Sequence, residues 1–238
     1  MDYCEHDPPA ALIGLVKCCW TLDAGGAPGD WIAHHATPDG CVEIIRRLAG
    51  RSRWNGDQPQ CFAVGLSDEP TLFEISGDSR FVGLRLWPWA WPLLNLGPVG
   101  ALRGRWIALA DTALAPHDPA EAADLVALRF AGAEALATTG RALIEAGSVE
   151  EMSEATGMAP RTLQRWFARN VGMPPRHYLR LLRFQKAFEQ VHVERSLADH
   201  AAAQGFADQA HMARTFREMA GVPAKQARRA AKGPFLSE

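Results

Sequence analysis

Two clusters of side chains in the last third of this 238-residue chain carry the donors and acceptors that read base edges. Arg161, Thr162, Gln164 and Arg165 form the first, and Gln209, His211, Arg214 and Arg217 the second. An arginine takes guanine through two parallel hydrogen bonds and a glutamine does the same for adenine, so either cluster suits a major groove. Spacing supplies the geometry. Leu163 and Phe167 lie four apart, so a helix over about Ala159 to Asn170 buries them with Trp166 near the edge. Arg161, Thr162, Gln164, Arg165 and Ala168 then face outward. In the second cluster Met212 and Phe216 take the buried positions, leaving Gln209, Ala210, Ala213, Arg214 and Arg217 outward with His211 beside them. The small alanines allow close approach to thymine methyl groups.

An internal repeat positions both clusters. Ser148-Val149-Glu150-Glu151 is echoed 48 residues later by Ser196-Leu197-Ala198-Asp199, each pairing a Ser N-cap with an acidic third helical residue. Ala155-Thr156-Gly157 returns as Ala203-Gln204-Gly205, where Gly can end a helix in the left-handed conformation. After one inserted residue the offset is 49, matching Leu163 with Met212, Arg165 with Arg214, Phe167 with Phe216, Gly172 with Gly221 and Pro174 with Pro223. Each unit therefore reads as helix, Gly turn, second helix, Gly stop and Pro: a helix-turn-helix, present twice. Between them, Pro174-Pro175 opens a helix expected to reach Val191, a rod of about 27 Å able to hold two recognition helices in successive grooves about 34 Å apart. Arg176, Arg180, Arg183 and Lys186 on this rod suit phosphates or solvent rather than bases.

Charge separates the halves. The net charge of −2 divides into −7 over residues 1–147 and +5 over 148–238, with +9 between Arg161 and Lys232. The basic half suits a polyanion. Gly157-Met158-Ala159-Pro160-Arg161-Thr162-Leu163-Gln164-Arg165-Trp166-Phe167, then Gly172-Met173-Pro174 and Tyr178-Leu179-Arg180, resembles the DNA-binding domain of AraC/XylS-type transcription regulators. So does Gly205-Phe206-Ala207-Asp208-Gln209-Ala210-His211-Met212-Ala213-Arg214-Thr215-Phe216-Arg217 with Gly221-Val222-Pro223. The resemblance covers about 148–230 and implies that Arg161, Gln164, Arg165, Gln209 and Arg214 meet bases. Met212 replaces the usual aromatic or Leu, and Ala227-Arg228 the usual Tyr-Arg.

The acidic half has another texture. Up to about residue 110, short apolar runs alternate with turn residues such as Pro38-Asp39-Gly40 and Asn55-Gly56-Asp57, the punctuation of a sandwich or barrel. Expected strands are Val42–Ile45, Cys61–Gly65, Leu72–Ile75 and Phe81–Leu86, with helical turns beginning near Pro88. Helical spacing of Val126, Phe130, Ala133, Leu136 and Ala137 predicts a connector over 119–146, broken near Gly132 or Gly140. Trp20, the stretch from His34 through Pro38-Asp39-Gly40-Cys41-Val42-Glu43, and Val82-Gly83-Leu84-Arg85-Leu86 are similar to the cupin-like N-terminal domain in one branch of such regulators, which implies a small β-barrel. The expected class is α+β: a cupin-like β-barrel over 1–115, a helical connector over 116–147 and an all-α double helix-turn-helix over 148–238.

Seven of the eight tryptophans lie in the acidic half. Aromatic walls with a few polar groups suit a small ligand, although core packing is the plainer role of any single Trp. Trp20, Trp31, His34, Glu43, Arg85 and Trp87 are the candidate effector-binding residues for a small apolar or aromatic molecule.

Other chemistries fit less well. Five cysteines, all within the first 61 residues and without a CxxC pair, suit neither a disulfide framework nor a structural zinc site. Adjacent His34 and His35 point to opposite faces of a strand, so no metal or cofactor is expected, and the Cys18-Cys19 pair is a minor redox candidate. No long uncharged apolar span and no basic leader occur, so a cytosolic protein without membrane contact is expected. The expected partners are double-stranded DNA and a small-molecule effector, with RNA polymerase and a second copy as further candidates. Two rivals remain: a DNA-binding protein whose barrel only dimerises, and a barrel enzyme with a helical assembly domain, for which no catalytic constellation is found.

Overall fold

The computed structural model describes residues 1–110, 112–191, 196–232 and 235–236. The first 108 residues form two antiparallel sheets that face each other. One has six strands in the order β1 (Asp2–His6), β2 (Val16–Asp23), β8 (Arg80–Leu86), β4 (Val42–Ala49), β6 (Cys61–Val64) and β9 (Trp106–Ala108). The other joins β3 (Trp31–Ala36), β7 (Thr71–Ser76) and β5 (Ser52–Arg53), with two short strands from the C-terminal end, β10 (Ala231–Lys232) and β11 (Phe235–Leu236), on the free edge of β3. The sheets do not close, so the expected barrel is an open, two-sheet version of the cupin-like architecture.

Burial on both faces explains the composition of the larger sheet. On β8, Phe81 and Arg85 point between the sheets, while Leu84 and Leu86 point the other way into a helix-covered core. β4 does the same with Glu43 and Ile45 inward and Val42 and Ile44 outward. Such strands lose the apolar–polar alternation of a half-exposed sheet. The second sheet keeps it, with Phe73 and Ile75 inward and Leu72 69% exposed.

The connector is two helices, α1 (Pro119–Arg129) and α2 (Glu134–Glu145), separated around Gly132, whose φ is +80°. Gly140 lies inside α2 without breaking it. The C-terminal units are α3 (Val149–Thr156) with α4 (Pro160–Asn170), and α6 (Leu197–Ala203) with α7 (Gln209–Ala220). α5 (Pro175–Glu189) joins them, and α8 (Ala224–Ala230) follows. Ser148 and Ser196 cap α3 and α6, accepting from the amides of Glu151 and Asp199 at 3.0 Å. Gly157, Gly172, Gly205 and Gly221 take φ values of 66°, 79°, 71° and 70°, the region that a Cβ disfavours.

One expectation needs correction, and one pairing is unforeseen. α5 has 15 residues, about 22 Å, because Gln190 already leaves helical geometry; the stretch 192–195 leading to the second unit lies outside the described residues. Beyond the helices of the C-terminal region, β10 pairs with β11 and β11 with β3. An edge strand offers unpaired backbone groups to any extended segment, whatever its side chains, so no sequence pattern announced this pairing.

One apolar core runs through both halves. From the outer face of the six-stranded sheet it passes through Trp87, and through Trp89 and Trp91 on a 3-10 segment over Pro88–Leu94, to Leu163, Phe167, Tyr178, Phe184 and Phe216. Trp89 contacts Trp166 and Tyr178 at ring-centroid distances of 6.1 and 5.8 Å, and the Tyr178 hydroxyl donates to the Gly40 carbonyl at 2.9 Å.

Candidate nucleic-acid interface and ligand cavity

The cationic faces follow from the helices that bear them. On α4, Leu163 and Phe167 are fully buried, while Arg161, Thr162, Gln164 and Arg165 are exposed. On α7, Met212 and Phe216 are buried, and Gln209, Arg214 and Arg217 are exposed. Both amphipathic helices thus spend their apolar side on the shared core and leave the cationic side to solvent. His211 differs from the rest of its cluster: it is half-buried, packs edge-on against Phe206 with ring centroids 5.4 Å apart, and lies in the first turn of α7, where its amide donates to Asp208 at 2.6 Å. Pro92 from the N-terminal half flanks Thr162, Arg165 and Arg169 along one shallow groove.

On α5, Arg176 and Lys186 remain exposed. Arg180 pairs with Glu218 of α7, and Arg183 donates to the Gly147 carbonyl at 3.3 Å. Phe184 and Phe188 pack against Phe216 with centroids 5.2 and 6.4 Å apart. α5 is therefore fastened to the second unit along its length as well as to the first.

A cavity of about 130 Å³ lies between the two sheets. Trp20, Trp54, Phe62, Phe73 and Phe81 supply aromatic wall, with Leu22, Ile45, Val64 and Ile75 between them. Trp20 fits because β8 carries Gly83 beneath it, where a Cβ would lie 2.0 Å from the indole. The polar end is built around Arg85, whose side chain is 5% exposed. Its Nε lies 2.6 Å from Glu43 Oε1 and 2.8 Å from Asp39 Oδ2, and its Nη1 lies 2.9 Å from Glu5 Oε1. Glu43 and Arg85 are directly opposed across β4 and β8, the closest relation two strands offer. Trp20 Nε1 also donates to Glu43 Oε1, at 3.2 Å. Burial pushes the Glu43 carboxyl above its ordinary range, against the attraction of Arg85.

Of the effector candidates, Trp20, Glu43 and Arg85 line this cavity; Trp31, His34 and Trp87 do not. Trp31 lies beneath the guanidiniums of Arg51 and Arg53, 4.9 and 4.3 Å from its ring. Trp87 belongs to the outer core, stacked on Trp89 and donating to the Ile13 carbonyl at 3.0 Å. His34 is buried beside Phe73, its cross-strand neighbour on β7, the rings stacked at 5.3 Å. Phe73, Phe81, Trp54 and Asp39 line the cavity without having been singled out. Period-two alternation on β7 is the available signal for Phe73; β8, buried on both faces, offers none for Phe81.

Burial lowers the pKa of His34, and this has a sign. A histidine whose folded pKa lies below its unfolded value of about 6.5 resists protonation in the native state. The unfolded chain then binds more protons, so stability falls as pH drops below about 6.5 and levels off beneath the folded pKa. Thermal midpoints measured between about pH 5 and 7 should decline more steeply in the wild type than in His34→Phe; equal slopes would refute this assignment.

The cysteines divide by burial. The thiols of Cys18 and Cys19 are pushed up to about 12 and about 11 by desolvation, which leaves little thiolate for redox chemistry at neutral pH. Among the described residues no group of three or more His, Cys, Asp or Glu could hold a metal ion, and no helix is long and apolar enough to cross a membrane.

Residues 152–230 match a family described as a helix-turn-helix domain, and residues 4–108 match one described as a domain of unknown function (DUF6597). No curated protein matches the chain. Among solved structures, a transcriptional regulator with an AraC-type DNA-binding domain from Chromobacterium violaceum is 23% identical, the match covering 43% of this chain and 92% of that one with a TM-score of 0.37. A probable AraC family transcriptional regulator from Rhodopseudomonas palustris is 21% identical over 41% of this chain and 97% of that one, at 0.36. Fatty acid-bound ToxT from Vibrio cholerae is 10% identical over 99% of this chain and 97% of that one, at 0.47. The duplicated helix-turn-helix, with its exposed cationic faces, lies within the matched helix-turn-helix domain. The N-terminal half is a two-sheet, cupin-like domain.

Proposed function

We propose that α4 and α7 enter successive major grooves of one operator, and that a small molecule in the cavity between the sheets controls how firmly they are held there. The observation that carries the first part is the exposure of Arg161, Thr162, Gln164 and Arg165 together with Gln209, Arg214 and Arg217. α5 sets their spacing. His211 supports the start of α7 while staying within reach of the same face.

Control by the cavity has a physical route. Thr37, Pro38, Asp39 and Cys41 form part of its wall, and the intervening Gly40 packs on α5. Asp39 Oδ1 fixes this turn by accepting from the Cys41 amide at 2.9 Å, and the Gly40 carbonyl receives the Tyr178 hydroxyl. A ligand that moves Asp39 therefore acts on the helix joining both recognition units. RNA polymerase and a second copy of the chain are the further partners of this reading. Sedimentation with and without operator reports the second.

Selecting bound sites from a random duplex pool should return an asymmetric site with two preferred blocks about one helical turn apart. Arg165→Ala should lose about 1–3 kcal/mol of specific affinity and blunt discrimination at one base pair, leaving non-specific binding nearly intact. An unchanged site preference would remove Arg165 from the base-reading set.

A further inference from the structure

The polar end of the cavity carries more negative charge than its arginine balances. Glu5, Asp39 and Glu43 all lie within 2.9 Å of the one guanidinium of Arg85. The nearby Lys17 is committed elsewhere, with its Nζ 3.0 Å from Glu189. Both donors that reach Glu43, Arg85 Nε and Trp20 Nε1, fall on Oε1; Oε2 carries no hydrogen bond among the described residues, and Glu43 lines the cavity.

Every ligand class meets this end differently. A carboxylate would have to approach Asp39 and Glu43 in an apolar enclosure, where like charges are screened least. A neutral ligand would leave the surplus uncompensated. An ammonium group would neutralise it, and the remaining wall suits the same ligand: Trp20, Trp54, Phe62, Phe73 and Phe81 present π surfaces that attract a cation as well as its hydrocarbon. The volume, about 130 Å³, is near that of cavities that hold one benzene ring, so the ligand is small.

We infer that the effector is a small hydrophobic amine bound as its cation, the ammonium on Glu43 Oε2 and Asp39 and the hydrocarbon among the aromatic walls. This rests on the cavity being the sensor site. The ammonium would draw Asp39 inward and thereby pull on the turn that holds Tyr178.

The test uses the full chain and three probes of one shape: 2-phenylethylamine, phenylacetate and 2-phenylethanol. Tryptophan fluorescence titration should give saturable binding of the amine, at least about tenfold tighter than the alcohol and tighter still than the acid. Glu43→Gln should weaken the amine by about tenfold and leave the alcohol unchanged; Asp39→Asn, which keeps the acceptor for the Cys41 amide, should act in the same direction. Binding of phenylacetate or the alcohol as tightly as the amine would overturn the inference while keeping the cavity as a sensor site. Binding of none of the three would overturn both.

Discussion

Arg85→Met is expected to cost about 3–5 kcal/mol of folding stability, because it removes the positive member of a buried cluster and strands its carboxylates. Asp39 and Glu43 would remain within an apolar cavity, their side chains only 17% and 16% exposed, without a counter-charge. Urea unfolding at neutral pH measures the loss. The penalty has a direction in pH. Without Arg85, the folded-state pKa of Glu43 rises further above its unfolded value, so the native state binds a proton more readily than the unfolded chain. Stability relative to wild type is then recovered as pH falls towards the unfolded value of about 4.3, and is poorest above the folded pKa. Glu43→Leu combined with Arg85→Met should cost less than the sum of the two single changes, since the Glu43 charge leaves with its partner. A single-variant loss under about 1 kcal/mol, or strict additivity in the double variant, would mean that Arg85 is solvated through the cavity and the cluster is not an electrostatic unit.

The helical half was more legible than the sheet half, for a physical reason. A helix-turn-helix advertises itself through side chains whose roles are local: Ser148 and Ser196 satisfy amides three residues away, and Gly157 and Gly205 end helices that begin within ten residues. Because each device acts within one or two turns, the duplicated spacing is sufficient to place it. The exposed face of α4 follows from Leu163 and Phe167 alone.

In the sheet half the deciding contacts are distant. β2 pairs with both β1 and β8 and is buried on both faces, so Val16-Lys17-Cys18-Cys19-Trp20-Thr21-Leu22 offered no alternation. β3 is not among the expected strands, although it carries Trp31, His34 and His35; its pairing with β7 depends on residues 35 to 45 positions away. Trp20 and Trp87 look alike in sequence. One faces the cavity because Gly83 leaves it room, and the other turns outward to the Ile13 carbonyl. The closing of Glu5, Asp39 and Glu43 on Arg85 likewise requires the register of β4 against β8, which fixes which alternate residues face inward.

Tyr178→Ala should separate the two halves. This ring is fully buried where they meet, with Trp89 of the N-terminal half and Phe167 of α4 both 5.8 Å from it between ring centroids, and its hydroxyl on the Gly40 carbonyl. Deleting a buried aromatic ring costs about 3–5 kcal/mol. Here the loss falls on contacts between the sheets and α5, so the wild type should melt in one transition and the variant in two, followed by near-ultraviolet dichroism for the tryptophan-rich half and by far-ultraviolet dichroism for the helices. Tyr178→Phe keeps the ring and removes only the hydroxyl. It leaves a buried carbonyl without that donor, a loss of about 1–3 kcal/mol, and should preserve the single transition. If Tyr178→Ala lowers the midpoint but both signals still fall together, the shared core is held by Trp89 and Trp166 without it. The turn at Gly40 would then have no privileged grip on α5, and a ligand at Asp39 would need another route to the recognition helices.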